Sequence, residues 1–91
     1  MSEVRIPPVL RSATSGAKLV DAGGSTVREV IESLVGTYPA LAPTLLDGDG
    51  GINHFVNVFL NGTDVRHLDG LETPVGERDS LVLLPAMAGG S

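Results

Sequence analysis

One amphipathic helix, placed between segments with strand patterns, constrains the fold of this chain most. Residues 26–29, Thr-Val-Arg-Glu, match a capping box, in which Thr26 caps the helix and Glu29 is the reciprocal acceptor. The apolar residues behind the cap recur at intervals of three and four and form one helical face; they are Val27, Val30, Ile31, Leu34 and Tyr38. Pro39 ends the helix near Tyr38.

Strand patterns occur on both sides of this helix. The predicted strands are residues 4–10, 17–20, 54–60, 63–65 and 81–84. Pro7 and Pro8 should lie at an edge or a bulge, because proline cannot donate a ladder hydrogen bond. Asn61-Gly62 is a strong hairpin signal. The last segment is continuously apolar, which predicts a strand in the middle of the sheet, and Pro85 stops it.

The order strand, strand, helix, strand, short strand, strand predicts an α+β fold of the β-grasp type. It has a mixed sheet of four to five strands with one main helix on one face. Residues 40–46 allow a short helical turn, and residues 47–51 form a loop. We assign residues 1–85 to the β-grasp domain and residues 86–91 to a flexible C-terminal diglycine tail.

Composition excludes several classes of function. The chain of 91 residues has no cysteine, which rules out disulfides, thiolate metal sites and sulfur carried on a cysteine. The net charge of −5 argues against nucleic-acid binding and fits a protein partner with a basic surface. We expect no membrane span and no signal peptide, and therefore a cytoplasmic protein. Neither the aspartates of residues 47–51 nor the two histidines match a metal site.

Three stretches of sequence resemble the ubiquitin-like sulfur carriers, a family that includes ThiS, MoaD and CysO. They are residues 26–31, residues 55–62, and residues 83–90, whose Leu-Leu-Pro-Ala-Met-Ala-Gly-Gly is similar to the ending typical of the family. Within the family, residues 54–57 and 64–66 resemble the CysO carriers of cysteine biosynthesis most closely. The diglycine supports the resemblance because it follows an apolar strand and a proline.

The resemblance implies a carrier protein that is not itself an enzyme. An activating enzyme similar to the ubiquitin-activating enzymes would use ATP to adenylate the carboxylate of Gly90. A sulfur donor would then convert it to a thiocarboxylate for a client synthase. The resemblance implies no bound cofactor in this chain, while the client can use pyridoxal phosphate. Residues that would enter the partner's active site are Pro85, Ala86, Met87, Ala88 and Gly89.

Ser91 departs from the family pattern, because mature carriers end at the second glycine. Either a metalloprotease removes this serine, or it is not native to the chain. A metalloprotease is also implied as the enzyme that releases product from the tail.

Other functions remain open from the sequence. The chain could be the small subunit of molybdopterin synthase or a carrier for another sulfur-containing metabolite, such as thiamin or a thiosugar. It could also be a ubiquitin-like protein modifier, although its single lysine, Lys18, favours a carrier over a polymerising tag. The remaining alternative is a β-grasp interaction domain whose glycines have no role.

Partners should dock on the face of the sheet opposite the helix. One helix covers only one face, yet both faces of residues 54–60 carry apolar side chains, and an exposed apolar patch usually marks an interaction site. The candidate contacts are Val58, Phe59 and Arg66. The sequence does not decide which of Val58 and Phe59 points outward, since a register error of one residue exchanges the faces. Ile31 and Leu83 should be core.

Overall fold

A five-stranded mixed sheet forms one layer of the fold in a computed structural model that describes residues 1–49 and 51–85. The strands are β1 (Ser2–Arg5), β2 (Leu19–Ala22), β3 (Val56–Leu60), β4 (Thr63–Asp64) and β5 (Ser80–Pro85). Their order across the sheet is β2-β1-β5-β3-β4. Only the β1–β5 pair is parallel among these strands. The predicted β-grasp order and the central position of β5 are confirmed. The predicted tail, residues 86–91, lies outside the described residues.

The main helix, α1 (Val27–Thr37), begins at the predicted cap. The Thr26 hydroxyl accepts a hydrogen bond from the backbone N–H of Glu29 at 3.2 Å. The Glu29 carboxylate accepts from the N–H and the hydroxyl of Ser25, at 2.8 and 2.9 Å, rather than from Thr26. The reciprocal half of the capping box is therefore displaced by one residue. The hydrogen bond from the Ser25 N–H, followed by that from its hydroxyl, lowers the pKa of Glu29.

A close approach precedes the helix at Gly24. This residue has φ +148°, and a Cβ built on it would lie 2.7 Å from both the Glu29 Cβ and the Val30 backbone nitrogen. A glycine is needed here, because any larger residue would collide with the first turn of α1. Residues 23–26, Gly-Gly-Ser-Thr, thus form the entry to the helix.

The predicted first strand is too long. β1 ends at Arg5, and Pro8–Thr14 forms a 3₁₀-helix. Proline is favoured at the start of a helix, where its missing N–H has no partner to lose. The Thr14 side chain closes the following turn by donating to the carbonyls of Arg11 and Ala17. The predicted second strand starts two residues early, since pairing with β1 begins at Leu19.

The second half of the sheet also starts later than predicted. β3 begins at Val56, because Asn53 organises a turn that occupies residues 53–55: its side chain accepts from the Phe55 N–H and its carbonyl from the Val56 N–H. The predicted hairpin turn is confirmed, as Asn61 and Gly62 both have positive φ, 50° and 92°. β4 is shorter than predicted and gives way to a 3₁₀-helix at Val65–His67. Pro85 pairs with Val56 and is the last residue of β5.

The core lies between the sheet and the helices. The second helix, α2 (Ala42–Leu45), confirms the predicted helical turn and buries Leu45. Ile31 and Leu83 are 3 % and 1 % exposed, so both predicted core positions are confirmed. The most deeply buried large side chains include Ile6, Leu34, Leu41, Leu45, Leu81 and Leu83. They come from both ends of the chain, which ties β1, α1 and β5 into one unit.

Truncation of the core should destabilise the fold strongly. We expect Leu83→Ala and Ile31→Ala each to lower the free energy of unfolding by about 2–5 kcal/mol, through lost burial and the cavity left behind. Urea denaturation measures this change. Gly36→Ala is a suitable control, because a Cβ at this exposed helical position meets no atom within 4 Å. Midpoints equal to the parent's for both truncations would contradict the assigned core.

Candidate docking face beside the C-terminal tail

Strand β5 carries the chain toward its C terminus through the centre of the sheet. On one side Val82 pairs with Arg5 of β1, and on the other it pairs with Phe59 of β3. Two residues further along, Leu84 pairs with Asn57. The tail therefore continues from a strand that both neighbours hold. The predicted tail contacts at residues 86–89, and the reacting residue Gly90, lie outside the described part of the chain.

An apolar patch lies on the sheet face that α1 does not cover. It consists of Phe59, Val82 and Leu84, and we call it the open-face patch. Phe59 and Val82 are half-buried side by side, and Leu84 is 42 % exposed. Their neighbours Leu81 and Leu83 point into the core, as the two-residue period of a strand requires. The predicted apolar outer face is present and lies next to the end of β5.

The prediction that Val58 contacts a partner is wrong. It pairs with Leu83 and is 1 % exposed, on the same inward face as Val56 and Leu60. The alternation along β3 then turns Phe59 outward. Sequence could not decide between these two residues, because both lie in an apolar strand and only pairing with β5 fixes the register.

Arg66 lies at the edge of the open-face patch and is bound to the start of β3. Its guanidinium donates to the Asn57 side-chain oxygen at 2.5 Å, to the Val56 carbonyl at 2.9 Å and to the Asn53 carbonyl at 3.2 Å. Because Val56 also pairs with Pro85, Arg66 braces the strand beside the base of the tail. A guanidinium has five N–H donors, so this bracing leaves capacity for a partner, and the partner role of Arg66 stays a prediction.

The site prediction omitted three exposed or half-exposed apolar residues. Val82 and Leu84 alternate with the core positions of β5, so the period-2 pattern contained the signal for them. Phe55 is 73 % exposed and immediately precedes β3 at the same end of the sheet. An aromatic side chain so exposed beside the tail's base extends the apolar surface available to a partner.

Other features of the described chain offer no competing chemical centre. A depression of about 170 Å³ on the helix side is lined by Arg28, Ile31, Glu32, Leu46 and Leu71. It is smaller than a usual small-molecule pocket. The Asp47 carboxylate accepts from the N–H groups of Asp49 and Gly51, at 2.8 and 2.9 Å, and so closes a turn. Within residues 1–49 and 51–85, no helix is long and apolar enough to cross a membrane.

The fold and the strand leading into a diglycine tail define the class of ubiquitin-like β-grasp carrier proteins. The sequence matches the ThiS family over residues 4–90, and the chain belongs to that family. It is 42 % identical over 89 residues to the sulfur carrier protein CysO of Mycobacterium tuberculosis strain H37Rv, covering 96 % of each chain.

Solved structures agree with this assignment. CysO in the BexX/CysO complex of Amycolatopsis orientalis superposes with a TM-score of 0.89 at 37 % identity, with 94 % of this chain and 96 % of that chain covered. The small archaeal modifier protein 1 of Methanosarcina acetivorans superposes with a TM-score of 0.84 at 32 % identity, covering 98 % and 95 %. The resemblance found in the sequence is confirmed: the chain is a sulfur carrier protein similar to CysO, and not an enzyme.

Loss of the Arg66 guanidinium should loosen the start of β3. We expect Arg66→Ala to lower the free energy of unfolding by roughly 1–2 kcal/mol, since it removes three hydrogen bonds from one partly exposed charged group. Arg66→Lys should restore only part of the lost stability, because an ammonium cannot reproduce the planar arrangement of donors in a guanidinium. Urea midpoints measure both changes. Arg78→Ala is the control, as no side-chain hydrogen bond of Arg78 occurs among the described residues. Equal urea midpoints for the parent and Arg66→Ala would show that the hydrogen bonds of Arg66 do not contribute to stability.

Proposed function

We propose that this chain carries sulfur as a thiocarboxylate on Gly90 and supplies it to a client synthase in cysteine biosynthesis. The observation that supports this most is the family match, which runs through the apolar end of β5 and the diglycine to residue 90. The 42 % identity to the M. tuberculosis CysO favours the cysteine pathway over the molybdopterin, thiamin and thiosugar alternatives.

The chemistry requires an activating partner. A carboxylate is a poor electrophile, so its oxygen must first become part of a good leaving group. The activating enzyme joins the Gly90 carboxylate to the α-phosphorus of ATP and releases pyrophosphate. A sulfur donor then attacks the acyl carbon, the bond to AMP breaks, and the product is a C-terminal thiocarboxylate. ATP binds to the activating enzyme, and any pyridoxal phosphate binds to the client.

The length of the tail suits a reaction inside a partner. Residues 85–90 are six residues, which span at most roughly 20 Å when extended. The body of this carrier measures 31 × 29 × 24 Å across its described residues. The body can therefore stay outside the partner while Gly90 reaches its active site. Glycine and alanine add the least side-chain bulk in a narrow channel.

The open-face patch provides the hold that such a reaction needs. Val82 and Leu84 are part of the strand that continues into the tail, so a partner that grips this patch also fixes where the tail begins. The BexX/CysO complex supports a protein as the partner of a similar carrier. We assign the patch to an activating enzyme similar to the ubiquitin-activating enzymes and to a client similar to cysteine synthases. A metalloprotease would trim Ser91 or release the product.

A second candidate function is protein modification. It is favoured by the likeness to the small archaeal modifier protein 1 of M. acetivorans, at a TM-score of 0.84. A modifier would form an isopeptide bond between the Gly90 carboxyl and a lysine of another protein. Intact mass separates the two: replacement of oxygen by sulfur adds about 16 Da to the free chain, whereas a modifier occurs as an adduct.

Activation should require Gly90 as the last residue. We expect a chain ending at Gly90 to support ATP–pyrophosphate exchange with its activating enzyme and the chain ending at Ser91 not to, because only the shorter tail places the carboxylate at the α-phosphate. Addition of the sulfur donor should then raise the mass of the shorter chain by about 16 Da. Gly90→Ala in the shorter chain, with the same melting temperature, should exchange poorly.

Equal exchange by both chains would contradict obligatory removal of Ser91. Exchange without the gain in mass, accompanied by isopeptide adducts, would favour the modifier. Neither exchange nor adducts would leave an interaction domain as the remaining function.

A charge placed in the open-face patch should separate docking from folding. We expect Phe59→Asp to fold with nearly the parent's melting temperature and to weaken binding to the activating enzyme at least tenfold, since the substituted position is outward. Val58→Asp should unfold the protein, because it buries an unpaired carboxylate. Circular dichroism and isothermal titration calorimetry measure the two effects. A folded Phe59→Asp variant that binds as tightly as the parent would place the docking surface elsewhere.

A further inference from the structure

The basic residues of this acidic chain are unevenly distributed over the structure. The chain has six basic and eleven acidic residues and a net charge of −5. Four of the six basic residues lie at the end of the sheet where β5 ends. We call these four the tail collar, and they are Arg5, Arg11, Lys18 and Arg66.

Backbone pairing fixes the place of each collar residue. Arg5 is the last residue of β1, which runs parallel to β5 and pairs with Val82. The Ile6 N–H donates to the Lys18 carbonyl at 2.8 Å, and the Arg11 side chain donates to the Ile6 carbonyl at 3.1 Å. These contacts place Lys18 and Arg11 next to the end of β1.

Arg66 completes the collar on the other side of β5. Its hydrogen bond to the Val56 carbonyl holds it beside the residue that pairs with Pro85. Arg5, Lys18 and Arg66 are exposed, and none of the four forms a salt bridge among residues 1–49 and 51–85. Their charges are therefore available to a partner.

Acidic residues dominate the opposite end, where β5 begins. Six of the eleven lie there: Glu3, Asp21, Glu29, Glu72, Glu77 and Asp79. The two remaining basic residues also lie at this end, and one of them, Arg28, is paired with Glu72 at 2.7 Å. The basic residues are therefore concentrated at the end of β5 that leads into the tail, where Asp64 is an acidic neighbour on the β4 side.

We propose that the tail collar steers the carrier, tail first, onto an acidic rim around the tail-binding channel of its activating enzyme, rather than onto the basic surface that the net charge alone predicted. The inference rests on the proposed function and adds the charge of the partner's surface. Opposite charges on two docking faces accelerate association and fix orientation more than they strengthen the final complex. A net negative carrier without this concentration of basic residues would be repelled from an acidic rim.

The collar also predicts the orientation of docking around the open-face patch. One row across the outer face contains Leu19, Arg5, Val82, Phe59 and Asp64 in pairing order. The patch is thus flanked by a cation on its β1 side and an anion on its β4 side. The acidic rim of the activating enzyme should face β1 and β2, where Arg5 and Lys18 lie.

Charge reversal tests steering with matched variants of equal net charge. Lys18→Glu and Arg5→Glu reverse a collar charge, and Arg78→Glu reverses one at the opposite end, two residues before the first residue of β5. Stopped-flow association of the Gly90-ending carrier with the activating enzyme is measured over a range of ionic strength. We expect the two collar variants to associate about fivefold or more slowly at low salt, with the difference shrinking as salt screens it. Arg78→Glu should associate like the parent, and dissociation rates should stay within about twofold.

Equal slowing by all three variants would reduce the effect to net charge and overturn the inference, as would unchanged rates for both collar variants. Adenylation measured at a saturating concentration of the carrier tests the proposed function separately from the steering inference. If the parent is adenylated but the association rate does not depend on the charge of the collar, the steering inference is wrong and the proposed carrier function is unaffected. If the parent is neither bound nor adenylated, the proposed function fails and the inference fails with it.

Discussion

The parallel pairing of β1 with β5 is the constraint on which the other features depend. It joins the first strand of the chain to the last and places β5 between β1 and β3. Because the two strands are parallel, β1 ends beside Val82 and the chain leaves it in the direction of the tail, which brings the basic residues of the tail collar toward the end of β5. The same pairing fixes which side chains of β5 point outward, and so it creates the open-face patch beside the tail.

Local signals in the sequence predicted the elements whose structure is determined locally. Thr26 caps the helix and Asn61-Gly62 forms the turn, since each depends on residues a few positions away. Two predictions failed at local turns that the strand pattern concealed, and one failed where distant pairing decides. Pro7 precedes a 3₁₀-helix that begins at Pro8, instead of both continuing a strand, and the turn at Asn53 delays β3. Val58 is the consequential failure, because its side depends on the register with Leu83.

The candidate site also combines features that are visible in the sequence with features that only the folded structure reveals. The diglycine and the apolar ending of β5 were visible as a pattern, and they gave the family. The bracing role of Arg66 was not visible, because its three acceptors lie 9 to 13 residues earlier in the chain. The proposed activation would place the ATP chemistry in the partner, so that few special side chains are needed in this chain. Its described carboxylates with lowered pKa, Glu29 and Asp79, close local turns instead.

The central position of β5 also determines how the protein responds to mechanical load. A partner that draws in the tail exerts force along the axis of β5 from its last residue, Pro85. The hydrogen bonds to β1 and β3 lie across that axis, so the load acts on both ladders in shear and is shared among many bonds at once. Separation of β5 from its neighbours would require these hydrogen bonds to break together. In a hairpin at the sheet edge they would break one after another. The body of the carrier can therefore keep its shape when tension is applied at Pro85.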